Sequence, residues 1–67
     1  MNDEKLNMSV RKFLKNVGIT SQRNIEEKVK TIVNAGEAAN LKKIKIKAII
    51  SSDEINLNET IEGEIEI

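Results

Sequence analysis

Apolar residues in the first third of the chain recur with the spacing of an amphipathic helix. They fall at positions i, i+4, i+7, i+8 and i+11, namely Leu6, Val10, Phe13, Leu14 and Val17. This spacing places them on one side of a helix, which we predict over residues 6–17. Asn2 or Asp3 is a suitable N-cap, because its side-chain oxygen accepts a hydrogen bond from a free backbone N–H. Gly18 follows where a helix-ending residue in the left-handed conformation is expected.

A second apolar stripe predicts a second helix over residues 21–35. Its members repeat at i, i+4, i+7 and i+8, and they are Ile25, Val29, Ile32 and Val33. Thr20 or Ser21 is the expected N-cap, and Gly36 is the expected residue just beyond the C-terminus. The intervening loop of about three residues permits only a tight helical hairpin or a helix-turn-helix.

The hydrophobic period then changes from 3.6 to 2, which predicts two strands over residues 42–50 and 54–67. Ser51–Glu54 is a polar turn cluster, so the strands form an antiparallel hairpin. Lysines alternate with apolar residues in the first strand, and Asn, Thr and Glu do so in the second. The lysines are therefore expected to face the polar residues across the hairpin. Gly63 marks a bulge, which we favour, or a turn that creates a third strand.

The predicted fold class is α+β, with a single domain over residues 1–67. An N-terminal helical hairpin (α-α) packs on a C-terminal antiparallel β-hairpin or three-stranded meander, and the helical stripes cover its isoleucine face. So short a chain forms a small core and usually needs further stabilisation. The outer edge of the last strand has only alternating glutamates to protect it. Pairing of this edge with a second copy would give a twofold dimer with a sheet of at least four strands.

Composition restricts the available chemistry. The 67 residues include no His and no Cys, which removes the commonest general base, disulfides and Cys-ligated zinc. Ser9 with Lys5 or Lys12 would act as a nucleophile and base only if the lysine were desolvated in a pocket. The acidic residues lack the spacing of a calcium-binding loop. We therefore predict a protein that is not an enzyme, with no cofactor and no metal site.

Charge is divided unevenly along the chain. Residues 1–47 hold eleven basic and five acidic residues, whereas residues 48–67 hold six acidic residues and no basic one. We expect the two parts to neutralise each other, strand against strand. The polar start and the short longest apolar run, Ala48–Ile50, predict a soluble cytoplasmic protein without membrane contact.

These features favour a homo-oligomeric protein-binding or adaptor module, expected to be a dimer. The candidate contact surface lies at the predicted helix–helix turn and on the first helix, and comprises Arg11, Lys15, Thr20, Ser21, Gln22 and Arg23. The alternative is nucleic-acid binding through the helix-turn-helix-like segment 10–33, whose second helix opens with residue types that contact phosphates and bases. Glu26 and Glu27 argue against it, because carboxylates repel phosphate.

Residues 6–26 also carry a resemblance. Their sequence, LNMSVRKFLKNVGITSQRNIE, resembles the opening of a family of short bacterial proteins of unknown function with the pattern LNMS-x-RKFLK-x-VG-x-TSQR-x-IE. Gly63-Glu64-Ile65 is similar to the end of that family's sequences. The resemblance is specific over about a third of the chain. It implies a small free-standing protein, and it implies no activity, cofactor or partner.

Overall fold

A computed structural model describes all of residues 1–67. One helix, α1 (Asp3–Asn34), is followed by two strands, β1 (Lys43–Ser52) and β2 (Leu57–Glu66). The α+β class is confirmed. The helical hairpin is wrong, because a single helix occupies the place of both predicted helices. The chain divides into two compact units, Met1–Glu37 and Ala38–Ile67.

Helix α1 continues without interruption through Gly18, where the sequence predicted a stop. A glycine inside a helix costs only about 1 kcal/mol relative to alanine, and the chain contains no proline that would end the helix. Thr20 and Ser21 are accordingly helical and are not N-caps. The predicted helix-turn-helix over residues 10–33 is also wrong, because these residues form one helix without a turn.

The beginning of α1 confirms one of the two predicted caps. Asn2 is the N-cap, and its Oδ1 accepts a hydrogen bond from the backbone N–H of Lys5 at 3.1 Å. Asp3 and Glu4 occupy the first turn. Their negative charges lie near the positive end of the helix dipole, which favours the helix further.

The end of α1 confirms the prediction for Gly36. Gly36 has φ 75°, in the left-handed region that glycine adopts without steric cost. Its N–H donates to the carbonyl of Val33 at 3.0 Å, and the N–H of Glu37 donates to the carbonyl of Ile32 at 3.1 Å. This pair of bonds is a Schellman motif, which satisfies two carbonyl groups at the helix end.

The two strands form the predicted antiparallel hairpin, and there is no third strand. Their register runs without interruption from Lys43 opposite Glu66 to Ser52 opposite Leu57. Gly63 pairs with Ile46 inside this ladder, so neither the favoured bulge nor the alternative turn is present. An unbroken ladder keeps the apolar pairs on one face and the lysine–glutamate pairs on the other, which a bulge would disrupt.

The turn of the hairpin lies two residues later than predicted. Strand β1 continues through Ser51 and Ser52, and residues 53–56 form the turn. The N–H of Asn56 donates to the carbonyl of Asp53 at 3.3 Å, and Asn56 has φ 52°. Asparagine tolerates this left-handed conformation better than most residues do. Ile55, predicted as part of a strand, therefore lies exposed in the turn.

No side chain of the chain is fully buried. The apolar side chains with the most cover are half-buried, and they are Val17, Ile25, Val29, Ile32, Ala38, Ile44, Ile46, Ile50, Leu57 and Ile65. The packing of the helical stripes on the isoleucine face of the sheet stays a prediction.

Candidate contact surface

All six predicted contact residues lie on α1, and all are exposed. The helix brings three of them together. Arg11 and Lys15 are four residues apart, and Gln22 follows seven residues after Lys15. Residues at these spacings share one side of a helix. We call Arg11, Lys15 and Gln22 the basic face of α1.

The helix separates the other three predicted contact residues from the basic face. Successive residues rotate by about 100° around the helix axis, so Thr20, Ser21 and Gln22 point in different directions. Ser21 lies four residues from Val17 and from Ile25, and therefore falls in line with the apolar side chains. The prediction grouped these residues because it placed them in a turn, and a helix does not keep them together.

A shallow depression of about 320 Å³ lies beside Gln22 and Arg23. Its other lining residues are Ile19, Glu26, Glu27 and Lys30. Arg23 and Glu27 are four residues apart, as are Glu26 and Lys30, so opposite charges neighbour each other along the helix. This part of the helix is therefore of mixed charge rather than uniformly basic.

A second depression near the start of α1, of about 480 Å³, brings Ser9 together with Lys5 and Lys12. This is the only hydroxyl–lysine set that the sequence singled out. All three side chains are exposed to solvent. A lysine that activates a hydroxyl needs a desolvated position, and this open helix surface does not provide one.

Sequence reasoning missed a third depression, which lies on the hairpin. It has a volume of about 550 Å³ and is lined by Lys45, Ile46, Lys47, Glu62, Gly63 and Glu64. Gly63 lacks a side chain opposite Ile46, and a Cβ added there would meet no atom within 4 Å. The sequence contained a sign of this feature, because a glycine within an alternating strand pattern often marks close approach of another group.

The polar face of the hairpin carries a ladder of opposite charges. Lys43, Lys45 and Lys47 lie opposite Glu66, Glu64 and Glu62, respectively. This confirms the predicted pairing of the two strands. Lys43 Nζ also approaches Glu64 Oε2 diagonally at 4.0 Å, with both side chains more than half exposed. Such exposed pairs contribute little to stability and mainly select the register.

No group of three or more acidic, His or Cys side chains is arranged to hold a metal ion. None of the helical sequence is apolar over a stretch long enough to span a bilayer.

Comparison with known proteins identifies the family. The chain belongs to the family of unknown function DUF6494, which matches it over residues 1–67. This agrees with the expected membership of a family of unknown function. Neither a curated protein nor a solved structure matches the chain.

Proposed function

We propose that this member of a family of unknown function is a small, non-enzymatic protein-binding or adaptor module that acts as a homo-oligomer. One observation carries the proposal: neither the helix nor the hairpin buries a side chain within itself, although 39% of the residues are hydrophobic. Apolar surface in water is unfavourable, and contiguous exposed apolar patches mark surfaces that bind other proteins.

The apolar surface is organised in both units. On α1 it forms a row in which Val10, Phe13 and Leu14 are each about half exposed, at 46%, 56% and 48%. On the hairpin, cross-strand pairs such as Ile44–Ile65 and Ala48–Ile61 share one face. Further copies of the chain would cover these two surfaces, neither of which is covered within its own unit.

The basic face of α1 supports a role in binding a second protein. Arg11 and Lys15 lie one turn apart, and both are exposed. Their positive charges suit an acidic segment of a partner, and charge complementarity of this kind mainly accelerates and orients binding.

The non-enzymatic part of the proposal rests on side-chain chemistry. The chain has no His or Cys, and Ser9 with its two neighbouring lysines lies open to water. General-base catalysis and covalent catalysis both depend on groups with shifted proton affinity in a partly water-excluded site.

The first experiment is the solution mass, measured by light scattering on a sizing column over a range of protein concentrations. We expect a mass of at least two chains at micromolar concentration. A mass of one chain at every concentration, from a sample with the helix content of α1, would overturn the homo-oligomeric function.

The adaptor role has its own test in affinity isolation from cells. We expect a partner retained by the wild type to be lost by the double variant Arg11→Ala with Lys15→Ala. The matched control is Lys28→Ala with Lys30→Ala, which removes two charges from the same helix and should retain the partner. Equal retention by both variants would contradict the assignment of the basic face.

A further inference from the structure

The hydrogen-bond pattern of the hairpin defines its outer edges. The N–H of Ile67 donates to the carbonyl of Lys42 at 3.0 Å, one step beyond the Lys43–Glu66 pair. Hydrogen-bonded pairs alternate along an antiparallel ladder. The odd-numbered residues of β2 therefore direct their backbone groups to β1. The even-numbered residues direct theirs outward, and they are Asn58, Thr60, Glu62, Glu64 and Glu66.

The two outer edges of the hairpin differ in charge. The outward-directed residues of β1 include Lys43, Lys45 and Lys47, and lysines along an edge protect it from pairing. The outer edge of β2 is neutral over Asn58 and Thr60 and acidic from Glu62 onward. Antiparallel pairing of two such edges brings the neutral half of each against the acidic half of the other.

We propose that the outer edge of β2 binds β2 of a second copy, antiparallel, about a twofold axis that passes between the two Ile61 residues. The proposal rests on the homo-oligomeric function above and specifies its interface. On the polar face, Glu62 then lies opposite the partner's Thr60, and Glu64 lies opposite the partner's Asn58. No like charges lie directly opposite each other across the interface.

The same register also places apolar residues opposite apolar residues on the other face of the sheet. Ile61 lies opposite the partner's Ile61, and Leu57 lies opposite the partner's Ile65. Glu59, the charged residue on this face, lies opposite the partner's Gly63, where there is open space for its side chain.

Moving the twofold axis along β2, away from Ile61, removes these favourable pairs. An axis at Thr60 places Ile61 opposite the partner's Glu59. An axis at Glu62 places the Glu62 side chains of the two copies against each other, which is destabilising. An axis between residues would pair outward-directed backbone groups with inward-directed ones and would mix the two faces.

The resulting sheet has four strands, and its apolar face continues across the interface. Two strands alone are marginal in water, whereas three or more strands with a hydrophobic face can be stable. The dimer therefore supplies what the isolated hairpin lacks.

Cysteine cross-linking tests this register, because the native chain has no cysteine. Ile61 forms a non-hydrogen-bonded pair with its symmetry mate, in which the Cα atoms lie about 4.5 Å apart, within the range of a disulfide. Ile61→Cys should therefore form a disulfide dimer under mild oxidation.

Ile49→Cys is the matched control, because Ile49 lies on β1 and is exposed to a similar extent, at 59% against 57% for Ile61. At micromolar protein, Ile61→Cys should cross-link on the order of a hundredfold faster. Equal rates would overturn the proposal.

A measurement on the wild-type protein tests the same register without a cysteine substitution, which could itself disrupt the interface. In a mixed sample of isotope-labelled and unlabelled chains, we expect an intermolecular nuclear Overhauser effect between the α protons of Leu57 and Ile65. Within one strand these residues are about 27 Å apart, so the contact arises only between chains. A dimer by light scattering that lacks this contact would overturn the interface and leave the proposed function intact. A monomer would overturn both.

Discussion

The backbone N–H of Glu37 donates to the carbonyl of Ile32 at 3.1 Å, and this bond depends on the left-handed conformation of Gly36 between them. Gly36→Ala should therefore destabilise the helix end, by about 1 kcal/mol, because an L-residue is strained at φ 75°. Thermal unfolding followed by far-ultraviolet circular dichroism measures the effect. An unchanged midpoint would show that the Schellman motif is not formed.

Gly18→Ala should have the opposite effect. Gly18 lies inside α1, and a Cβ added there meets no atom within 4 Å. Alanine should raise the free energy of unfolding by roughly 0.5–1 kcal/mol through its higher helix propensity. The same thermal measurement applies, with Gly36→Ala as the contrasting variant. A loss of stability in Gly18→Ala would indicate a helix stop at this position, as in the predicted helical hairpin.

Asn2→Ala should reduce the helix content of the first turn. The Oδ1 of Asn2 accepts from the N–H of Lys5, and loss of such a cap costs about 1 kcal/mol. Asn7→Ala is the control, because Asn7 is exposed inside the helix and alanine there should slightly raise helicity. Amide hydrogen exchange at residues 3–6 reports the difference. Equal exchange in the two variants would argue against the cap.

The hairpin should tolerate Asn56→Gly and should be destabilised by Asn56→Val. At φ 52° a β-branched side chain is strongly disfavoured, whereas glycine has no such cost. Asn56→Val should therefore weaken the cross-strand α-proton contacts of the hairpin in nuclear magnetic resonance spectra. Asn56→Gly should preserve them. Loss of the contacts in both variants would mean that the Asn56 side chain matters more than its backbone conformation.

A charge exchange tests the register of the hairpin. Lys47 lies directly opposite Glu62, so Lys47→Glu places two carboxylates together and should destabilise the hairpin. Adding Glu62→Lys restores an opposite-charge pair, and the coupling in a double-mutant cycle should be about 0.2–1 kcal/mol. It should shrink as salt is added, because the pair is exposed. No coupling at low salt would contradict this pairing.

The parts of the fold that depend on local chemistry were predictable from the sequence. Asn2 and Gly36 act at the two helix ends through their own side chain or backbone, so a few neighbouring residues suffice to identify them. The alternation from Ile44 onward likewise identified the strands and the lysine–glutamate face.

The continuity of α1 through Gly18 was not predictable in the same way. Gly18 followed by Thr20 and Ser21 suits a helix end and a new N-cap, yet a single glycine is also tolerated inside a helix. The grouping of Thr20, Ser21 and Arg23 with the basic face failed for the same reason.

The position of the hairpin turn could have been predicted from the charged residues of the two strands. Pairing the three lysines of β1 with the last three glutamates in antiparallel order places the centre of the hairpin between Glu54 and Ile55, as the structure has it. The prediction relied instead on the polar character of Ser51 and Ser52, which proved able to continue the strand.

The separation of the chain into one continuous helix and one local hairpin has a kinetic consequence. Helices form within about a microsecond and hairpins within about ten microseconds, whereas ribosomes add only about 5–20 residues per second. During synthesis, α1 (Asp3–Asn34) is therefore complete for more than about a second before the last residues of β2 are joined. The apolar row of Val10, Phe13 and Leu14 thus lies on a finished helix before any sheet exists.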